Sequence, residues 1–345
     1  MPGPVDPANI LERPAPDRTV ALDPAFGQRF LVTIDTEEEF DWNAPIAREN
    51  TGTSAAARIA EFQRFSEVRG VVPVWLVDWP IATSPVAASI LRPAAHAGKA
   101  EIGLHLHPWV NPPFDEEVNQ FNSFAGNLPA ALEREKFIRL HRAIEDHLGV
   151  SPVIYRAGRY GAGPATAQLL LDMGYAIDSS VRAHFDYSDG DGGPDYHAHP
   201  VIPYWLDAGR RLIELPVTTV FTGLLHRLGP GLMPRAARVP RLPGVLARAR
   251  LLERVPLTPE SVPVRDALRA IDAAVAQQVP VLVFSFHSPS LGVGHTPYVK
   301  NDADLLRFYQ WWERVLDHLA RRGVTPATVA EVTGAARLAS RPEAS

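Results

Sequence analysis

Glu101-Ile102-Gly103-Leu104-His105-Leu106-His107-Pro108-Trp109 reads as the end of a buried strand that delivers two imidazoles. Residues two apart along an extended chain point to the same side, so His105 and His107 face one way and Leu104 and Leu106 the other. Pro108 cannot donate to a strand ladder, and the strand stops there. Two imidazoles on one face of a strand end make half of a metal site, because neutral imidazole is a common ligand for zinc-like cations.

Working outward, the same logic recurs. Phe30-Leu31-Val32-Thr33-Ile34 is a strand-length apolar run that ends in the acidic burst Asp35-Thr36-Glu37-Glu38-Glu39. Residues 71–77 form a second run, and residues 152–155 a third, followed by Arg156-Ala157-Gly158-Arg159-Tyr160-Gly161. Residues 212–217 form a fourth. Val281-Leu282-Val283-Phe284-Ser285-Phe286 is the strongest strand signal and ends at His287. Between the runs lie helical patterns at 53–68 (Ile59, Phe62 and Val68 on one side), 84–97, 129–148 and 164–173. Thr258-Pro259-Glu260 predicts a capped helix start running to about residue 277, and residues 302–321 predict another helix. Strand then helix, repeated, argues for an α/β fold with a parallel sheet, closed as a barrel or open. In such folds sites form beyond the carboxyl ends of the strands. Four strand ends carry unusual polar groups: Asp35 and Glu37, His105 and His107, Arg156 and Arg159, and His287.

The chain has 345 residues, of which 46% are apolar, enough for a sizeable core. Lys plus Arg number 34 against 39 Asp plus Glu, a net charge of −5 that argues against a nucleic-acid partner. There is no cysteine, which excludes disulfides, Cys-based zinc sites and a Cys nucleophile. No run approaches the ~20 consecutive apolar residues of a spanning helix. Residues 1–24 lack the apolar core of a secretory signal, so the expected location is cytoplasmic. The expected organisation is an irregular lead-in over 1–28, one domain over 29–335 and a disordered tail over 336–345. Within the domain, residues 224–256 hold Arg227, Arg235, Arg238, Arg241, Arg248, Arg250 and Arg254, with Glu253 the sole acid. Residues 243–255 there suit a basic amphipathic helix. This stretch reads either as a solvated insertion or as a peripheral contact with an acidic membrane surface or an anionic substrate group.

Two carboxylates and two histidines suit a divalent cation with N and O ligands, such as zinc. Such a metal polarises a carbonyl and brings the pKa of a bound water to about 7. A spare carboxylate then takes the water's proton, and a third histidine protonates the leaving group. An arginine nearby fixes a carboxylate by a forked hydrogen bond. This is equipment for hydrolysing an amide or an ester. Neither a Gly-x-Ser-x-Gly elbow nor a phosphate-binding Gly-x-x-x-x-Gly-Lys loop is present.

At this point the sequence resembles the polysaccharide deacetylases with the NodB-homology domain, carbohydrate esterase family four, over about residues 28–335. Thr33-Ile34-Asp35 is similar to the family's Thr-Phe-Asp-Asp, and Glu101-Ile102-Gly103-Leu104-His105 to its Glu-apolar-Gly-Asn-His. Arg156 with Tyr160-Gly161 resembles its Arg ahead of Pro-Tyr-Gly, and Phe284-Ser285-Phe286-His287 its Leu-x-His. His105-Leu106-His107-Pro108-Trp109 and His287-Ser288-Pro289-Ser290-Leu291 look like those of a divergent bacterial subgroup. The resemblance implies a distorted (β/α)₇ barrel and metal-dependent removal of acetyl from N-acetylated sugars or glycan precursors. It implies Asp35 as base, His287 as acid and Arg156 (or its competitor Arg159) orienting Asp35. Glu37, His105 and His107 would hold a divalent ion, zinc first, cobalt or nickel as alternatives. Trp109, Arg159, Tyr160, His295 and Tyr298 would meet the sugar. Two positions depart from the pattern: Thr36 stands where the family has its second Asp, and Trp109 where it has its second His. Glu37 and His107 are the substitutes, each two residues from its partner. The alternatives are a catalytically inactive carbohydrate-binding or regulatory barrel, and a glycoside hydrolase using Asp35 with Glu37.

Overall fold

The computed structural model describes residues 8–190 and 192–339. Its strands are β1 (Arg29–Thr36), β2 (Val74–Val77), β3 (Glu101–Leu106), β4 (Ile154–Ala157), β5 (Ile177–Asp178), β6 (Tyr204–Trp205), β7 (Ile213–Glu214), β8 (Thr219–Thr222), β9 (Glu253–Pro256), β10 (Val281–His287) and β11 (Thr325–Pro326). The main sheet runs β10-β1-β2-β3-β4-β5-β7-β6, with β11 beside β1. From β10 to β7 every neighbouring pair is parallel, and β6 closes the edge antiparallel. The gap between β7 and β10 is spanned by irregular backbone. Thr218 N–H donates to the Val283 carbonyl, Leu257 N–H to that of Thr218, and Ser285 N–H to that of Leu257, each at 3.1 Å. The sheet is therefore curled into the distorted (β/α)₇ barrel expected from the sequence.

Strand alternation decides what fills the barrel. Leu31, Val74, Leu76, Ile154, Ile177, Ile213, Leu215, Val281 and Val283 form one buried cluster inside it. Phe30, Val32, Ile34, Leu104 and Leu106 belong to the cluster under the surrounding helices. On β3 the inward column is Glu101, Gly103 and His105. A Cβ on Gly103 would lie 2.3 Å from Leu76 Cδ2 and 2.9 Å from the Ile154 carbonyl oxygen, so only glycine lets β2 and β4 pack across that layer. Below it, the Glu101 carboxylate accepts from Val329 N–H at 2.7 Å, at the start of helix Val329–Ala339, which plugs the barrel floor with Val332 and Ala336. The upper end carries Asp35 opposite His287 and His105 opposite Arg156, by strand register.

Several local expectations are corrected. The helix expected from Thr258 starts at Val264. Thr258 Oγ1 instead accepts from Glu260 N–H, and Ser261 takes φ 66°, a left-handed break no helix tolerates. The basic helix expected over 243–255 covers Leu242–Arg248 only. Arg250 turns left-handed at φ 55°, and β9 then pairs antiparallel with β8, a hairpin the composition did not signal. Around it Leu224 and Leu228 are exposed, as are Val239 and Val245. Val68, expected on a buried helix face, is exposed; Ile59, Phe62, Gln63 and Ser66 make that face. Residues 336–339 are helical rather than disordered, because Ala336 packs into the barrel floor; residues 340–345 of the expected tail, and 1–7 of the expected lead-in, lie outside the described residues. Residues 8–28 are irregular yet docked: Ile10 is buried, and Val20 N–H donates to the Pro203 carbonyl at 3.0 Å. Among the described residues no helix is long and apolar enough to cross a membrane.

Candidate active site

The barrel mouth brings Glu37, His105 and His107 together, all buried. Glu37 Oε2 lies 3.5 Å from Nε2 of each imidazole. Each ring is held from behind. His105 Nδ1–H donates to the Arg156 carbonyl at 3.0 Å, and His107 Nδ1–H to Glu38 Oε2 at 2.8 Å. Those bonds set the tautomers and leave both Nε2 lone pairs facing Glu37. Burial pushes the His105 pKa down to about 3 and that of His107 to about 4, so both rings are neutral. Burial, and then the charges of Glu38 and Asp35, push the Glu37 carboxyl well above its usual range. Its Oε1 is buried with no hydrogen-bond partner. Two neutral imidazoles, an orphaned carboxylate oxygen and carboxylate or carbonyl support behind each ring fit a divalent cation with N and O ligands.

The neighbourhood of His107 is built from Glu38 and Asp78, which carry no metal-site signal in the sequence, and from Trp109. Glu38 sits in an acidic run that looks solvated, yet it is fully buried. Its Oε1 accepts from Trp109 Nε1–H at 2.8 Å, and its N–H donates to Asp78 Oδ2 at 2.8 Å. Asp78 also accepts from Ile81 N–H at the start of helix Trp79–Ala82. Trp109 stacks on His107 with ring centroids 4.3 Å apart, so this indole braces the imidazole while lining the cavity. Gly158 closes the other side: a Cβ there would lie 2.4 Å from His107 Cδ2.

Beside this group stands an acid–base pair. Arg156, with no exposed surface, donates from Nη1 to Asp35 Oδ1 at 2.5 Å and from Nη2 to Thr33 Oγ1 at 2.8 Å. Its Nε–H is fixed by the Ser179 carbonyl at 2.9 Å. Burial alone would raise the Asp35 carboxyl, but Arg156, then His105 and His287, outweigh it and hold the pKa at about 2. His287 Nε2 faces Asp35 Oδ2 at 3.9 Å, and its Nδ1 meets Glu260 Oε2 at 2.7 Å. Glu260 Oε1 accepts from His287 N–H and Ser290 Oγ–H. Burial alone would depress His287, but Glu260 and Asp35 together raise its pKa above the ordinary histidine value. Glu260 carried no sequence signal, because its partner is 27 residues away and its own backbone is irregular.

These groups open into a cavity of about 280 Å³ walled by aromatic rings, among them Phe40, Trp42, Tyr160, Tyr187 and Tyr298. Trp42 packs edge-on against His287 at 4.9 Å and Tyr298 at 5.6 Å. Arg159 and Tyr160 reach the wall through successive left-handed residues, φ 54° and 59°. Arg159 is held by Gln120 Oε1 at 2.8 Å and by Ser123 Oγ, and stacks on Phe124. Among the described residues it makes no hydrogen bond or ion pair with Asp35, so of the two candidate arginines Arg156 is the one at the carboxylate. His295 is not brought into this cavity. It lies in a neighbouring groove that shares Phe40 and Trp42, with Nδ1 3.4 Å from Glu39 Oε2.

No family model matches the chain, and no curated protein matches it by sequence. Among solved structures, Puue allantoinase is 12% identical over 99% of both chains, with a TM-score of 0.51. A probable polysaccharide deacetylase from Pseudomonas aeruginosa PAO1 is 13% identical over 92% of this chain and 94% of that one, with a TM-score of 0.48. The Xyl-CE4 domain of a multidomain xylanase from the hindgut metagenome of Trinervitermes trinervoides is 12% identical over 92% and 93%, with a TM-score of 0.44. At these identities the likeness is one of fold. What the chain does rests on its own site.

Proposed function

We propose that the protein is a metal-dependent hydrolase that removes acetyl groups from N-acetylated sugars or glycan precursors. The observation that carries this reading is the convergence of Glu37, His105 and His107 beside two separately supported groups, Asp35 with Arg156 and His287 with Glu260. Glu37, His105 and His107 would hold the cation, which when bound supplies a Lewis acid for the acetyl carbonyl and an acidified water. Asp35, kept ionised by Arg156, accepts the proton of the attacking water. His287, whose pKa the Glu260 carboxylate raises, donates a proton to the leaving sugar nitrogen. The aromatic wall, with Trp42, Tyr160 and Tyr298, supplies apolar surface of the kind a pyranose packs against.

Treating the purified protein with a chelator is expected to abolish acetate release from N-acetylated sugars, and added zinc, cobalt or nickel to restore it. Undiminished turnover with metal below a tenth of an equivalent per chain, by elemental analysis, would overturn the reading. The pH profile carries a second prediction. Because Asp35 is held at about 2, it stays ionised throughout the working range and sets no acid limb there. The alkaline limb follows loss of the His287 proton, and a raised pKa places that limb above the ordinary histidine value. Glu260→Gln removes the supporting charge, so the limb moves to lower pH and kcat falls about tenfold, a fraction of the usual acid–base contribution. An unshifted profile would show that Glu260 does not tune His287.

A further inference from the structure

We infer that the cavity carries an anion subsite at Arg182, and that the substrate is an N-acyl sugar bearing a carboxylate or a phosphate close to the group hydrolysed. This rests on the reading of the cavity as a sugar site given above.

Arg182 stands on the rim of the barrel. After β5 the chain stays extended, with Val217 N–H donating to the Val181 carbonyl at 2.8 Å and Arg182 bridged to Val217. The backbone is thus fixed at the carboxyl end of the sheet, and the side chain lines the cavity. The other charged groups there are either paired by the protein or assigned to the proposed cation. Arg156 meets Asp35, His287 meets Glu260, and Glu37 lies between two imidazoles. Arg159 is held by Gln120 and Ser123.

Arg182 has no carboxylate within ion-pair distance among the described residues. Among the described residues its guanidinium makes one hydrogen bond, from Nη1 to the Tyr187 hydroxyl, at 3.3 Å. Its Nε is buried with no partner. The guanidinium lies 4.0 Å from the centroid of Phe185 and 5.4 Å from that of Tyr160. Arg254 stacks on the same Phe185 ring at 3.7 Å, so two cations share one aromatic.

A half-buried cation without a counter-charge is costly, and aromatic stacking offsets only part of that cost. The arrangement makes sense when an anion completes it. A guanidinium already fixed on one side by stacking keeps its fork for an oxyanion, which carboxylate and phosphate both match. Tyr160, Tyr187 and Tyr298 line the same cavity, so a sugar ring and its anion are read together there.

Titration of the metal-loaded full chain with three probes tests this: N-acetylglucosamine, its 1-phosphate, and N-acetylmuramic acid. At least one anionic probe is expected to bind about tenfold tighter than the neutral sugar or better, which is about 1.4 kcal/mol. Which of the two gains identifies phosphate or carboxylate as the source. The advantage should shrink with added salt, vanish in Arg182→Gln and survive in part in Arg182→Lys. Should the glutamine variant fail to fold, protection of Arg182 from phenylglyoxal in the wild-type chain, mapped by peptide mass spectrometry, replaces it; protection by the anionic probe but not by N-acetylglucosamine is the expected result. Equal affinity for all three probes, an advantage that persists in Arg182→Gln, or equal protection by all probes would overturn the inference. Acetate release measured in parallel separates the two claims. Anion preference without acetate release would sink the hydrolase and leave the subsite standing; acetate release without anion preference does the reverse.

Discussion

Alanine at His105 is expected to strip the divalent cation and to lower kcat/KM by about 10³-fold or more, the several kcal/mol that a Lewis acid contributes. The ring has one job in the fold and one in the site. Its Nδ1–H bond to the Arg156 carbonyl ties β3 to β4, while Nε2 faces Glu37. Losing the ring removes one of three donors and leaves the buried Glu37 carboxyl beside a cavity instead of an imidazole. A Gln at 105 separates the jobs: it restores bulk and a donor toward β4 but is a poor ligand. Elemental analysis should find both variants depleted of metal, with the glutamine variant closer to wild type in thermal midpoint. Full metal content and full activity in His105→Ala would refute the assignment of the ligand set.

The second large effect is Asp35→Asn. The asparagine keeps the shape and can still accept one hydrogen bond from Arg156, but it cannot take a proton from water. A kcat loss of about 10²–10⁴ is expected, with metal content retained. The substitution also leaves Arg156, wholly buried, without its counter-charge, and breaking a buried pair from one side costs about 3–5 kcal/mol. Thr33 Oγ1 and the Ser179 carbonyl still hold the guanidinium, which places the loss toward the lower end. Urea denaturation measures it. The wild-type pair has its own pH signature. With Asp35 depressed from 3.8 to about 2 in the fold, its contribution to stability is complete above pH 3.8 and is lost as pH falls through about 2. In Asp35→Asn that part of the acid-induced loss should be absent. Unchanged stability and unchanged kcat together would show that Asp35 is a bystander.

Much of the barrel was legible from local pattern, and the misreadings have local causes. Alternation along β3 gave the correct inward column, and the cap and apolar stripe of residues 302–321 gave the correct helix, with Asn301 accepting from Asp304 N–H at its start. The helix from Thr258 was misread because Thr-Pro-Glu is a sound start in isolation; the barrel instead spends those residues on a left-handed turn that points Glu260 at His287. The β8–β9 hairpin was missed because an arginine-rich stretch with few β-branched residues carries no strand signal of its own. Its pairing is decided by the partner strand.

The sequence by itself determined the parallel-strand architecture and the facing of His105 and His107, because both follow from a period of two within a few residues. It also brought Asp35, Arg156 and His287 to strand ends, and strand ends in a parallel barrel share one rim. The tertiary structure alone decided the division of labour within the acidic run. β1 ends at Thr36, and past that point alternation no longer applies. Glu37 turns toward the two Nε2 atoms and Glu38 backs His107, a distinction that depends on where β2, β3 and Asp78 lie. The same holds for Glu260 behind His287 and for Arg182, which meets no carboxylate among the described residues. Each is defined by contacts, or by their absence, across long stretches of chain, and no spacing in a single sequence records those.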